Sequence, residues 1–270
     1  MPVPAGVEAA FATYRIVALV DPRTPAVNRV VLSLVRDRAF RSRARVIVYD
    51  CCARRFQALV DRYVSGGAVA FEAVSRAWAQ AAPPIPDPNL FVEARKLNRR
   101  LPPAQRIRIV LAHPWASGVF RCKHGRACNP WGDGLDRTIA DVVEKEVFQR
   151  HEHALLLAAY WKLDRRARPT DARGYGVDSA ARRIERRHPG SLFLAWAVRV
   201  CPSAMTNADD LVHSWRAPAL ADIRGTSVGF APETLLWRCV RAPLHGFPIA
   251  TPSAERHVQD DVDAILKVGR

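Results

Sequence analysis

Apolar and polar positions alternate along the chain in a regular rhythm of short continuous apolar runs and longer amphipathic stretches. "RIVALV" (Arg15 to Val20), "ARVIVYD" (Ala44 to Asp50), "RIRIVLA" (Arg106 to Ala112), "ALLLAAY" (Ala154 to Tyr160) and "SLFLAWAV" (Ser191 to Val198) are compact and rich in branched residues. They read as five strands covered on both faces. Between them, apolar residues recur at helical spacing over Pro25 to Phe40, Ala53 to Val64, Ala70 to Gln80, Phe91 to Leu101, Leu135 to His151 and Asp178 to His188. Pro25 suits a first helical turn, "SGG" at Ser65 to Gly67 stops the second helix, and Asp178 is the candidate N-cap of the last. The final 70 residues are less regular and are expected to close in a helix over Ala254 to Lys267.

Strands alternating with helices predict an α/β fold. Its mostly parallel sheet carries helices on both faces in three layers. A Pro-rich stretch at 81–88 and a Gly/Asn/Pro-rich stretch at 114–134 read as loop insertions within one domain spanning residues 1–270.

Composition adds charge to this picture. The net charge is +15, and only five of the 41 basic residues are lysine. Such a field favours anionic partners: a small anion in a pocket, and nucleic acid by non-specific attraction. The arginines are spread along the chain, and no nucleic-acid module is legible. No apolar run approaches the ~20 residues of a membrane span. The first residues lack a basic, leucine-rich leader, so a cytoplasmic location is expected from the sequence as it stands. Of six cysteines, adjacent Cys51 and Cys52 make a poor disulfide or metal pair. "CKHGRAC" (Cys122 to Cys128) departs from zinc-knuckle spacing and reads as a loop with two thiols. No metal site is expected.

Open parallel sheets bind ligands beyond the carboxyl ends of their strands. The residues following the five strands therefore carry the candidate chemistry: Asp21 and Arg23, Asp50, His113, Lys162, and Arg199. Trp161 beside Lys162, and Arg95 with Asn98 on the helix before the third strand, are candidate ligand contacts. Each has a plainer reading. An Asp after a strand caps the next helix, a His before Pro makes a turn, and a lysine beside a tryptophan snorkels its ammonium to water. Asp with His can serve as a base pair for hydrolysis, and Lys162 can clamp an anion. No Walker loop, GxGxxG or HExxH string accompanies them.

Several strings resemble the erythromycin-esterase-like and ChaN-like superfamily, which includes the TIKI-type metalloproteases. "LVDPRTP" (Leu19 to Pro25) lies where that family's GExH signature follows the first strand, so Asp21 matches the glutamate and Arg23 the histidine. Asp50 matches a second glutamate. "EARKLNRRLP" (Glu93 to Pro102) resembles the helix that carries an arginine and an asparagine, matching Arg95 and Asn98. In "RIRIVLAHP", Ala112 and His113 stand in place of Gly-Asp. In "ALLLAAYWKLDR", Lys162 stands where a histidine is usual. "DRTIADVVEKEV", "RRHPGSLFLAW" and "SWRAPALADIRGTSVGFAP" extend the resemblance over about Arg15 to Pro232.

The resemblance implies ester or lactone hydrolysis, metal-dependent proteolysis, or haem binding, with haem or a divalent metal as the possible cofactor. The replacements at Arg23 and Lys162 imply that this chemistry is degenerate, because guanidinium stays protonated and cannot act as a base or a metal ligand. The expected protein is thus a degenerate relative with a cationic pocket for a small anion. The alternatives are a hydrolase with a rebuilt site, in which Asp50 or His113 is the base and Arg23, Arg95 and Lys162 stabilise an oxyanion, and a basic protein that binds nucleic acid or acidic partners.

Overall fold

The computed structural model describes residues 1–20, 25–79, 89–114, 133–159, 162–165, 178–198, 218–225, 257, 259 and 262–267. Seven strands form one sheet: β1 (Ile16–Val20), β2 (Val46–Ala53), β3 (Arg108–His113), β4 (Ala154–Ala158), β5 (Leu192–Val198), β6 (Ala219–Asp222) and β7 (Ala264–Lys267). Their order is β3-β2-β4-β1-β5-β7-β6, and every pairing is parallel except β6 with β7. The α/β architecture predicted by the pattern is therefore the one adopted.

The helices are α1 (Val3–Ala10), α2 (Pro25–Arg36), α3 (Arg38–Arg43), α4 (Gln57–Val64), α5 (Phe71–Ala79), α6 (Asn89–Asn98), α7 (Asp133–Val143) and α8 (Ala180–Arg187). Strand alternation divides the core between the two faces. Val17, Leu19, Ile47, Tyr49, Leu155 and Leu157 pack with residues of α1 to α6. Ile16, Ala18, Val46, Val48, Leu156 and Ala158 pack with α7 and α8. The helices that follow β1 and β2 thus cover one face, and those that follow β3 and β4 cover the other. Because the order β3-β2-β4-β1 interleaves these strands, neighbouring strand ends send their chains to opposite sides. That divergence opens crevices at the carboxyl edge.

α1 and β6 answer to no element read from the pattern, and three of the readings are corrected. The helical pattern over Pro25 to Phe40 is broken at Asp37, whose carboxylate accepts from the Phe40 N–H at 2.9 Å and starts α3 afresh. Ser179, not Asp178, caps α8: its hydroxyl accepts from the Arg182 N–H at 3.1 Å, while Asp178 pairs with Arg182 and Arg186. The expected closing helix over Ala254 to Lys267 is corrected at its end, where Ala264–Lys267 is β7. Pairing with β5 on one side and β6 on the other outweighs local helical spacing there.

β3 is an edge strand, and its exposed ladder is covered by a side chain. The Gln57 amide donates to Ile109 O at 2.9 Å, and its oxygen accepts from the Leu111 N–H at 2.7 Å. The carboxamide reproduces what a further strand would offer and blunts the edge. No helix among the described residues is long and apolar enough to cross a membrane.

Candidate functional site

β2 and β3 run in step until Tyr49 pairs with Leu111; the next pairing joins Ala53 to His113. Four steps along β2 therefore meet two along β3. Such a break re-aims the side chains within it. Asp50 opens the break, next to the end of β3.

The Asp50 carboxylate lies between two partners. One oxygen is 3.2 Å from His113 Nδ1, and the other accepts from the Lys162 ammonium. Lys162 reaches it because the chain turns just past β4, where the Lys162 N–H donates to Ala159 O at 2.9 Å. Asp50, His113 and Lys162 are 4%, 3% and 2% exposed, so the lysine does not snorkel to water. Three ionisable groups from the ends of three adjacent strands thus meet out of solvent.

Burial is the largest single influence on the Asp50 carboxyl, and it pushes the pKa up. The Lys162 charge, the hydrogen bond and charge of His113, and the Lys162 hydrogen bond together outweigh burial. They hold the carboxyl below the usual carboxylate range. Asp50 is thereby an anion whose charge is answered locally. With Nδ1 donating to Asp50, the acceptor nitrogen of a neutral His113 ring is Nε2.

A divalent metal fits this arrangement poorly. Both Asp50 oxygens are engaged, and the third member is an ammonium, which repels a cation. Among the described residues no three His, Cys, Asp or Glu side chains gather as metal ligands.

Arg95 and Asn98 do not join the cluster. The Asn98 amide donates to Val64 O at 3.1 Å and Ile107 O at 2.8 Å, and its oxygen accepts from the Ile107 N–H at 2.8 Å. Ile107 precedes β3, so Asn98 sits at the amino end of that strand, whereas His113 ends it. The six residue steps from Ile107 to His113 span roughly 20 Å in an extended strand. Arg95 donates to Tyr63 O at 2.6 Å and Gly67 O at 3.0 Å and lies over the Tyr63 ring. Both residues tie α6 to the end of α4 and are structural in this arrangement. Asp21, Arg23, Trp161 and Arg199 lie outside the described residues, as does the "CKHGRAC" segment.

Two features escaped the sequence reading. Asn28, in the helix that follows β1, is buried with an amide nitrogen that has no hydrogen-bond partner among the described residues; no motif marks it. "GTSVG" (225–229) has the G-x-S-x-G spacing of a hydrolase elbow. It follows β6, which runs against the other strands and so ends at the amino edge of the sheet. The string's residues 226–229, Ser227 among them, lie outside the described residues. Comparison with protein-family models, with curated proteins and with solved structures finds no match to the chain.

Proposed function

We propose that the protein is a degenerate relative of the erythromycin-esterase-like and ChaN-like superfamily. In this reading the strand-end site binds a small anion in place of the ancestral metal or hydrolytic chemistry. The observation that supports it is the buried Lys162–Asp50–His113 cluster at the carboxyl ends of β2, β3 and β4. Buried ionic groups are often no more stabilising than apolar residues of the same size. Their convergence at the ligand-binding edge therefore argues for use. Two groups able to carry positive charge flank one carboxylate. An ammonium has three donors, and Asp50 takes one, so a carboxylate or phosphate can be shared with the rest. The net charge of +15 draws such anions in.

A thermal-shift series tests this with acetate, succinate and inorganic phosphate, alongside haem, divalent cations, lactone esters and a short DNA duplex at two salt concentrations. An anion at ~100 times its dissociation constant adds about 2.7 kcal/mol. In a chain of this size that moves the midpoint by roughly 5–10 °C. The shift is expected for a small anion and absent in Lys162→Met, which keeps the stem and removes the charge. No anion response, or one unchanged in Lys162→Met, overturns the reading. The DNA shift is expected only at low salt, as for non-specific contact.

One distance favours a second reading. His113 Nδ1 at 3.2 Å from Asp50 is the arrangement in which a carboxylate orients an imidazole base. A hydrolase built this way would use His113 Nε2 as base and Lys162 to stabilise an oxyanion, without Arg95. Activity on a p-nitrophenyl ester or a lactone would then fall about 10²–10⁴-fold in His113→Gln. Turnover unaffected by that substitution rules His113 out as the base.

A further inference from the structure

We infer that Cys51 and Cys52 are a redox-active vicinal dithiol, a modification site that a small peroxide closes to a disulfide, and that closure alters how Asp50 holds His113 and Lys162. Neither cysteine is in a disulfide, both are buried, and the Cys51 thiol donates to Cys52 Sγ at 3.0 Å. In a regular strand, consecutive side chains point to opposite faces and adjacent thiols are kept apart. Here both thiols lie in the core on the α1 to α6 side, with Tyr49. The break in register between Tyr49 and Ala53 brings them together. The inference does not depend on what the strand-end cluster binds.

The chemistry balances with hydrogen peroxide as the oxidant. A thiolate sulfur attacks one peroxide oxygen; the O–O bond breaks, and hydroxide leaves to become water. The resulting sulfenic acid is attacked by the neighbouring sulfur. The S–S bond forms, the S–O bond breaks, and a second water leaves. Two electrons pass from the two sulfurs to the peroxide, and both thiol protons end in water. Burial selects a small oxidant over a bulky disulfide partner. Adjacent Cα atoms are ~3.8 Å apart across a trans peptide, less than the ~4.4–6.8 Å that disulfides usually span. A ring closed across them is strained and readily reduced, which suits a switch and not a staple.

The consequence for the cluster follows from adjacency. Asp50 is bonded directly to Cys51 and shares the same break in register, whose backbone a ring across residues 51–52 reshapes. The shape of that break decides where the Asp50 carboxylate points.

The experiment uses the full chain. Trypsin releases residues 46–54 as "VIVYDCCAR", which contains these two cysteines and no others. After hydrogen peroxide this peptide is expected to lose two hydrogens and to regain them with dithiothreitol. The ring-proton NMR signals of His113, assigned through His113→Gln, are expected to shift on oxidation in the wild type and to stay in place in Cys52→Ala. If that variant does not fold, Cys51→Ala takes its place. A peptide that keeps both thiols, or passes straight to sulfinic acid, overturns the redox pair. A closed ring that leaves the His113 signals unmoved overturns the coupling.

Discussion

Replacing Asp50 with alanine is expected to destabilise the protein by about 3–5 kcal/mol, because it leaves a buried ammonium without its carboxylate. At roughly 2–4 °C per kcal/mol for a chain of this size, the thermal midpoint falls by about 10 °C. The same substitution strips His113 of its Nδ1 partner, so two groups lose a partner at once. The effect is one of pairing and not of polarity. Pairing Asp50→Leu with Lys162→Met should therefore recover most of the loss, since matched apolar replacement of a buried pair is often neutral. Differential scanning calorimetry of the two single variants and the double variant closes the cycle; additive losses would mean that the pair is not coupled.

The pH dependence gives an independent check on the same cluster. The folded carboxyl lies below its ordinary value of about 3.9. The stability this confers is complete above that value and is lost as pH falls through the lower, folded one. As pH falls below about 4, wild type is expected to lose a component of stability that Asp50→Asn lacks. Parallel acid-unfolding curves for the two proteins would show that Asp50 carries no such linkage.

Asp50, His113 and Lys162, grouped by the strand-end rule, do meet in space, because parallel strands bring their carboxyl ends to one edge, whatever the helices between them do. The apolar runs gave β1 to β5 for the same reason: strands buried on both faces have no polar positions to blur them. The direction of the Lys162 side chain was not legible, since a lysine beside aromatic residues turns inward or outward according to what waits inside. What waits is Asp50, aimed by a break in register that no local pattern announces. Vicinal thiols looked unpromising for the same reason: a regular strand would have held them apart. β7 was missed because four residues, "AILK", carry no period of their own, and their strand state comes from β5 and β6. The placement of Asn98 was implicit in the connectivity. A helix that leads into a strand delivers its last residues to the amino end of that strand, opposite the carboxyl edge at which open parallel sheets as a class take their ligands.

That distinction makes Asn98→Ala the sharpest separation of scaffold from site, with an expected loss of about 3 kcal/mol and no change in anion binding. One buried carboxamide satisfies the Ile107 N–H and the carbonyls of Ile107 and Val64. It fastens the end of α4 to the entry of β3 at the point where α6 hands the chain to the sheet. A buried donor or acceptor left unmade costs about 1–3 kcal/mol. The Ile107 N–H carries most of that cost, because each carbonyl keeps a second lone pair and the chance of another partner. Aspartate is no remedy: it can accept from the Ile107 N–H but presents a charge where two carbonyl oxygens expect donors, so Asn98→Asp should be at least as damaging as alanine. If Asn98 touched ligand, as the family resemblance implies, Asn98→Ala would weaken the anion-induced thermal shift. In a purely structural role, the midpoint falls with and without ligand by the same amount, and the shift between them survives. The comparison of the two midpoints decides between these roles, and a shift that shrinks with the substitution would return Asn98 to the site.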